Sequence, residues 1–170
     1  ISTEMNENGV PQFNLNLISI QHLKCLIENS LSHDNELVKP SSISLIGFSK
    51  GSVVLNQLIY SLKALESLDD IETKNFANMI KNIYWLDGGH PGQQQTWITD
   101  SNILATLKFW KINVHIHVTP FQIANPSKPW NGKEEKAFRT ILTQLKVHYN
   151  RRVYYQNEPA SIDRHFQLLR

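Results

Sequence analysis

One stretch constrains this chain more than any other: Gly47-Phe48-Ser49-Lys50-Gly51. The apolar run Ile43-Ser44-Leu45-Ile46 precedes it, and a segment free of Gly and Pro runs from Ser52 to Leu65 after it. The pattern G-x-S-x-G is weak by itself. Strand, motif and helix in that order give it physical content. A serine forced onto a sharp strand-to-helix turn is lifted above the sheet, and the flanking glycines leave room for the turn. The helix N-terminus then aims backbone N–H groups and a partial positive charge at any oxyanion formed there. Ser49 is therefore the candidate nucleophile, and the Lys50 backbone N–H a candidate oxyanion-hole donor.

The remainder of the chain alternates in the same way. Leu17, Ile20, Leu23, Ile27 and Leu31 approximate a helical stripe within residues 14–31, and Ser32 to Pro40 reads as a loop. A helix over 52–65 and a weaker one over 71–81 follow the motif. Ile83 to Leu86 reads as a strand ended by Asp87-Gly88-Gly89, Ser101 to Trp110 as a helix, and Ile112 to Val118 as a strand stopped by Pro120. Lys133 to Leu145 reads as a helix, Arg152 to Tyr155 as a short strand, and Ser161 as the cap of a terminal helix carrying His165. Strands alternating with helices predict an α/β fold, a parallel sheet flanked by helices, with residues 1–170 as one domain. Residues 1–13 are polar, broken by Asn8-Gly9 and Pro11, and read as an irregular N-terminal segment.

Bulk properties exclude several classes. The net charge is +2, and no basic run exceeds the pair Arg151-Arg152, so no nucleic-acid partner is expected. The one cysteine, Cys25, rules out an internal disulfide framework; its apolar-periodic setting reads as a buried core thiol. No apolar run approaches the length of a membrane span. His115 and His117 form an H-x-H pair on one strand face, with no neighbouring Asp or Cys to complete a metal site. They read as hydrogen-bonded strand histidines, and neither a metal nor a cofactor is expected. The chain begins at Ile1, its first Met being Met5, and reads as a processed product or a fragment.

In a parallel sheet, functional groups gather beyond the carboxyl ends of the strands. Ser49, Asp87 and His165 fall there, in the Ser–acid–His chain order of α/β-hydrolases. A serine hydroxyl is a poor nucleophile until a histidine takes its proton, and a carboxylate fixes that histidine's tautomer. The acid of such enzymes more commonly follows the next strand, but Thr119 to Gly132 holds no Asp or Glu, so Asp87 takes the role. The competing reading makes Asp87 the opening residue of an Asp-Gly-Gly turn bonded to its own backbone. His90 is the alternative base, sharing a loop with Asp87, and His165 is otherwise a frayed terminal-helix residue. Trp97, Trp130 and Phe121 fall in loops at the same edge, as pocket lining or as packing.

Ser44-Leu45-Ile46-Gly47-Phe48-Ser49-Lys50-Gly51 with Val53-Val54-Leu55-Asn56-Gln57-Leu58, Leu86-Asp87-Gly88-Gly89-His90, His115-Ile116-His117-Val118-Thr119-Pro120 and Ser161-Ile162-Asp163-Arg164-His165-Phe166 resemble the chromosome 2 open reading frame 69 protein family. The resemblance runs from about Pro40 to the C-terminus. It implies an α/β-hydrolase-like fold and a mitochondrial location, and names no substrate. With one helix ahead of the motif, the chain reads as the C-terminal portion of such a fold, its early strands missing. The expected activity is that of a serine hydrolase acting on an ester, thioester or similar acyl substrate. The alternative is an inactive hydrolase-like protein that binds a mitochondrial protein partner.

Overall fold

The computed structural model describes residues 4–32 and 40–170. Four parallel strands form the sheet: β3 (Ile43–Phe48), β4 (Ile80–Leu86), β5 (Asn113–Val118) and β6 (Tyr149–Val153). They lie side by side in chain order, with Ile46, Tyr84, His115 and Asn150 aligned across one row of the register. The parallel pairing expected from the alternation of elements is what forms. A short hairpin of β1 (Glu4–Met5) and β2 (Pro11–Gln12) occupies the segment that reads as irregular.

Consecutive parallel strands are joined by right-handed crossovers, which place every crossover helix on the same face. The helices follow that rule. α2 (Gly51–Leu65), α4 (Ser101–Phe109) and α6 (Pro129–Leu145) pack in a row, the short α5 (Pro120–Ile123) lies against α6, and α1 (Ile18–Ser32) and α3 (Ile71–Ala77) extend the layer beyond α2. Between this layer and the sheet lies one core containing Leu58, Leu62, Ile83, Trp85, Leu104, Val114, Ile116 and Phe138, all nearly or wholly buried. The Trp85 and Trp97 rings both pack on Phe138, with centroids 5.5 and 5.3 Å away. Trp97 is thus core, not pocket lining. Local capping fixes the helix starts: Asp70 accepts from Thr73 N at 2.9 Å and Asp100 from Asn102 N at 2.8 Å.

Other readings also depart from the sequence expectation. The helix expected over 71–81 stops at Ala77, and β4 begins at Ile80. The last strand runs three residues earlier than Arg152, because Arg151 points toward the helices and pairs with buried Glu135 at 2.8 Å. Cys25 is exposed rather than buried. α1 packs by other positions, among them wholly buried Ile20.

Candidate active site

The motif forms the strand–turn–helix expected of it. β3 ends at Phe48 and α2 begins at Gly51. Between them Ser49 takes φ +51°, a left-handed conformation that costs a non-glycine residue about 1–3 kcal/mol and persists where surrounding structure imposes it. The constraint is visible: Ser49 N donates to Leu86 O at 2.9 Å, and Ser49 O accepts from Gly89 N at 3.2 Å. Ser52 Oγ also donates to that carbonyl, at 2.8 Å. Ser49 is therefore stitched to the residues on both sides of Asp87. The two glycines of the motif differ in role. A Cβ on Gly47 would lie 2.6 Å from Leu55 Cδ1, so the strand needs glycine there for α2 to pack on it. A Cβ on Gly51 would meet nothing within 4 Å.

Asp87 is wholly buried, with φ +47°. Its carboxylate does not close a local turn. Oδ1 accepts from Thr119 N at 2.7 Å, Oδ2 accepts from Thr119 Oγ1 at 2.6 Å, and Oδ2 lies 2.8 Å from His165 Nδ1. Two donors from Thr119 hold the carboxylate with its lone pairs toward the imidazole, and Nδ1–H donates to it. That tautomer leaves Nε2 as the basic nitrogen of His165. Sequence reasoning does not single out Thr119 as a site residue. It stands at the end of β5, the strand beside the one that carries Asp87, and that position is the signal that could have found it.

His165 is 2 % exposed, although only five residues follow it. It is carried by α7 (Ile162–Gln167), whose first turn is capped by Ser161 Oγ accepting from Asp163 N. Arg164 ties the helix to Glu158 at 2.5 Å and lies over the Tyr155 ring. The imidazole stacks on Phe48 at 4.5 Å between centroids and lies 5.1 Å from the Phe121 ring. So the histidine rests on the residue immediately before Ser49. The Ser49 hydroxyl has no hydrogen-bond partner among the described residues.

His90 is also buried but turned into its own loop. Its Nδ1 accepts from Gly92 N at 3.1 Å and its Nε2 faces Thr96 Oγ1 at 3.4 Å. Burial holds its pKa below the usual histidine range, and the nearby Lys50 and Lys128 add to the effect. The loop that carries it is anchored elsewhere: Glu134 accepts from Gln95 N, Thr96 N and Trp97 N at 2.7–3.1 Å. Asn131 Nδ2 donates to Gln122 Oε1 at 2.6 Å and to Gly88 O at 3.4 Å, which braces the Asp87 loop against α6. No sequence pattern marks Asn131, Gln122 or Glu134 as a site support. A cavity of about 460 Å³ lined by Asn8, Val10, Pro91, Gln93 and Gln94 holds none of the three expected catalytic residues.

His115 and His117 lie on the sheet face away from the helices. His115 Nε2 is 3.2 Å from Asn82 Oδ1 and His117 Nδ1 2.8 Å from the Tyr154 hydroxyl. No cluster of three or more His, Cys, Asp or Glu with metal-site geometry occurs among the described residues. No helix among them is long and apolar enough to cross a membrane.

The molecule is thus a mixed α/β domain with a left-handed serine, a buried aspartate and a buried histidine gathered at the carboxyl edge of a parallel sheet. It belongs to the C2orf69 family, whose profile matches residues 30–148. A Danio rerio protein named as a mitochondrial C2orf69 homologue is 35% identical, the match covering 98% of this chain and 52% of that protein. Mitochondrial C2orf69 proteins of Mus musculus and Homo sapiens are 41% and 40% identical over 83% of this chain, covering 38% and 36% of theirs. The chain spans about half the length of these relatives or less. No solved structure matches it significantly.

Proposed function

We propose that this protein is a serine hydrolase of α/β-hydrolase type, acting on an ester, thioester or similar acyl substrate in a mitochondrial role. The observation that carries the reading is the buried Asp87–His165 hydrogen bond, 2.8 Å long between residues 78 apart in sequence. A buried carboxylate–imidazole pair is costly to assemble and serves to fix a tautomer and stabilise an imidazolium. It lies where the strained Ser49 turn also lies. The mitochondrial setting rests on the names of the relatives.

In this reading Ser49 Oγ attacks the acyl carbon and His165 Nε2 takes its proton. The negative charge that develops on the carbonyl oxygen is met by the Lys50 N–H at the start of α2. The C–O or C–S bond then breaks, and His165 returns the proton to the departing alcohol or thiol. A water molecule, activated by the same nitrogen, releases the acid and restores Ser49. Asp87, held by Thr119, keeps the imidazole oriented throughout. His90, whose ring nitrogens both serve its own loop, is left out of this reading.

The test is labelling by a fluorophosphonate probe. The expected result is a covalent adduct on Ser49, abolished in Ser49→Ala and slowed in Asp87→Asn by a factor on the order of 10⁴. Absence of labelling in folded protein overturns the enzyme reading. It would favour a hydrolase-like scaffold that binds a mitochondrial protein partner, a role for which the uncovered face of the sheet offers a surface.

A further inference from the structure

The rim of the Ser49–His165 site carries two ammonium groups. Lys50 is adjacent to Ser49 and exposed. Lys128 approaches the site from the turn before α6, where its Nζ lies 5.2 Å above the Phe121 ring. Phe121 in turn lies 5.1 Å from the His165 imidazole. Both lysines act on His90, lowering its proton affinity, which places their charges around the same loop. Neither forms an ion pair among the described residues. The carboxylate nearest the chemistry, Asp87, is wholly buried and already engaged by Thr119 and His165. Phe48, Phe121 and Phe166 surround the His165 ring as an aromatic shelf, the last 57 % exposed.

Two unpaired cations beside an exposed aromatic surface match a ligand with an anionic part and an apolar part. A neutral ester would gain nothing from the lysines, and a free inorganic anion nothing from the rings. We propose that the substrate is an acyl ester or thioester whose leaving group carries phosphate, the acyl chain lying along the phenylalanines and the phosphate between Lys50 and Lys128. The proposal rests on the hydrolase reading above and narrows it. Hydrolysis consumes one water and yields the free carboxylic acid and the phosphate-bearing thiol or alcohol. The lysines act on binding and not on the bond that breaks.

Matched substrates separate the two claims. Octanoyl-coenzyme A and octanoyl-N-acetylcysteamine share one thioester, but only the first has phosphates. 1-Octanoyl-glycerol-3-phosphate and 1-octanoylglycerol form the corresponding ester pair. The expected result is a KM at least tenfold lower for the phosphate-bearing member of one pair, which also tells a thioester source from a lipid one. Lys128→Glu should raise that KM tenfold or more and leave the KM of the neutral partner within about twofold. Raising the salt from 50 to 300 mM should erode the preference in the unmodified protein, since screening of exposed charges strengthens with salt. This arm does not depend on the variant folding. Equal KM values within both pairs, with Ser49 still labelled by fluorophosphonate, overturn the phosphate proposal and leave the hydrolase standing. Loss of all labelling overturns both.

Discussion

Along β5, Val114, Ile116 and Val118 are wholly buried, whereas His115 and His117 between them are only half-buried. The same division runs across the sheet. On the helix side stand Ile43, Gly47, Ile83 and Trp85, all buried; on the other side Ser44, Ile46, Phe48, Asn82, Tyr84, Leu86 and Arg152, none buried. One face is a core and the other a surface. All-parallel sheets occur almost exclusively with both faces covered, since their crossovers bring helices to each side. Here the strands run in simple order, so every crossover lands on one side, and among the described helices α7 alone reaches the carboxyl end of the other, where Phe48 and Phe166 meet at 6.0 Å. Stability and the proposed site separate along this line: the covered face holds the strands together, and the carboxyl edge of the open face carries His165.

The largest effect that tests this contrast comes from neighbouring aromatics. Trp85 has no exposure, packs on Phe138 and donates from Nε1 to Asn56 Oδ1 at 3.1 Å. Trp85→Ala should cost about 3–5 kcal/mol of unfolding free energy in urea titration. Tyr84, one residue earlier, stacks on His115 at 4.1 Å on the open face, and Tyr84→Ala should cost about 1 kcal/mol. Equal losses would mean that the open face is covered in solution. The adjacent arginines make a second pair. Arg151→Ala removes one of the two guanidiniums on buried Glu135 and should cost about 2 kcal/mol, Arg139 retaining the other contact at 2.7 Å. Arg152 lies over the Tyr154 ring at the surface, and Arg152→Ala should change stability by less than about 0.5 kcal/mol.

This division of faces explains what the sequence disclosed. Where alternation is apolar on one side, as in Ile112 to Val118, the strand is plain from the sequence, and so is the helix at 52–65. Tyr149-Asn150-Arg151-Arg152-Val153 hides its strand because its central inward residue is an arginine matched to a glutamate 16 positions away, a pairing no local pattern contains. The placement of Ser49, Asp87 and His165 at one edge of the sheet was legible because each follows a strand there. Thr119, Asn131 and Glu134 were not, since their work is to hold backbone and carboxylate groups brought near only by folding. Cys25 misled because helical periodicity marks a stripe and does not say which flank of it meets the core.

Acid provides a smaller test. His115 and His117 on the open face and His90 in its loop are all held below the usual histidine pKa, burial being the leading cause in each. His148 adds to the effect at His115, and His115 and Arg152 add to it at His117. The folded protein keeps these rings neutral while the unfolded chain takes up protons as pH falls through about 6.5. Stability is thus fully present above that pH and declines below it. The urea midpoint should fall between pH 7.5 and 5.5, and His115→Gln with His117→Gln should flatten the decline without abolishing it, since His90 remains. A decline of unchanged slope would deny the open-face histidines any part in it.

The smallest stability change expected is also the most direct probe of the open face. Ile46 stands 65 % exposed on β3, which pairs with β4 on one side and with no other described strand. An exposed apolar residue on an edge strand contributes little to the fold and offers a template for pairing with another chain. Ile46→Lys removes apolar area already in water and places a charge where edge strands commonly carry one. Unfolding free energy should shift by less than about 0.5 kcal/mol, while the concentration at which light scattering reports association should rise. Leu45, half-buried on the helix side of the same strand, gives the control: Leu45→Lys should destabilise by several times as much. If Ile46→Lys destabilises as strongly as its neighbour, the side of the sheet away from the helices is packed against something in solution, and the contrast between the two faces fails.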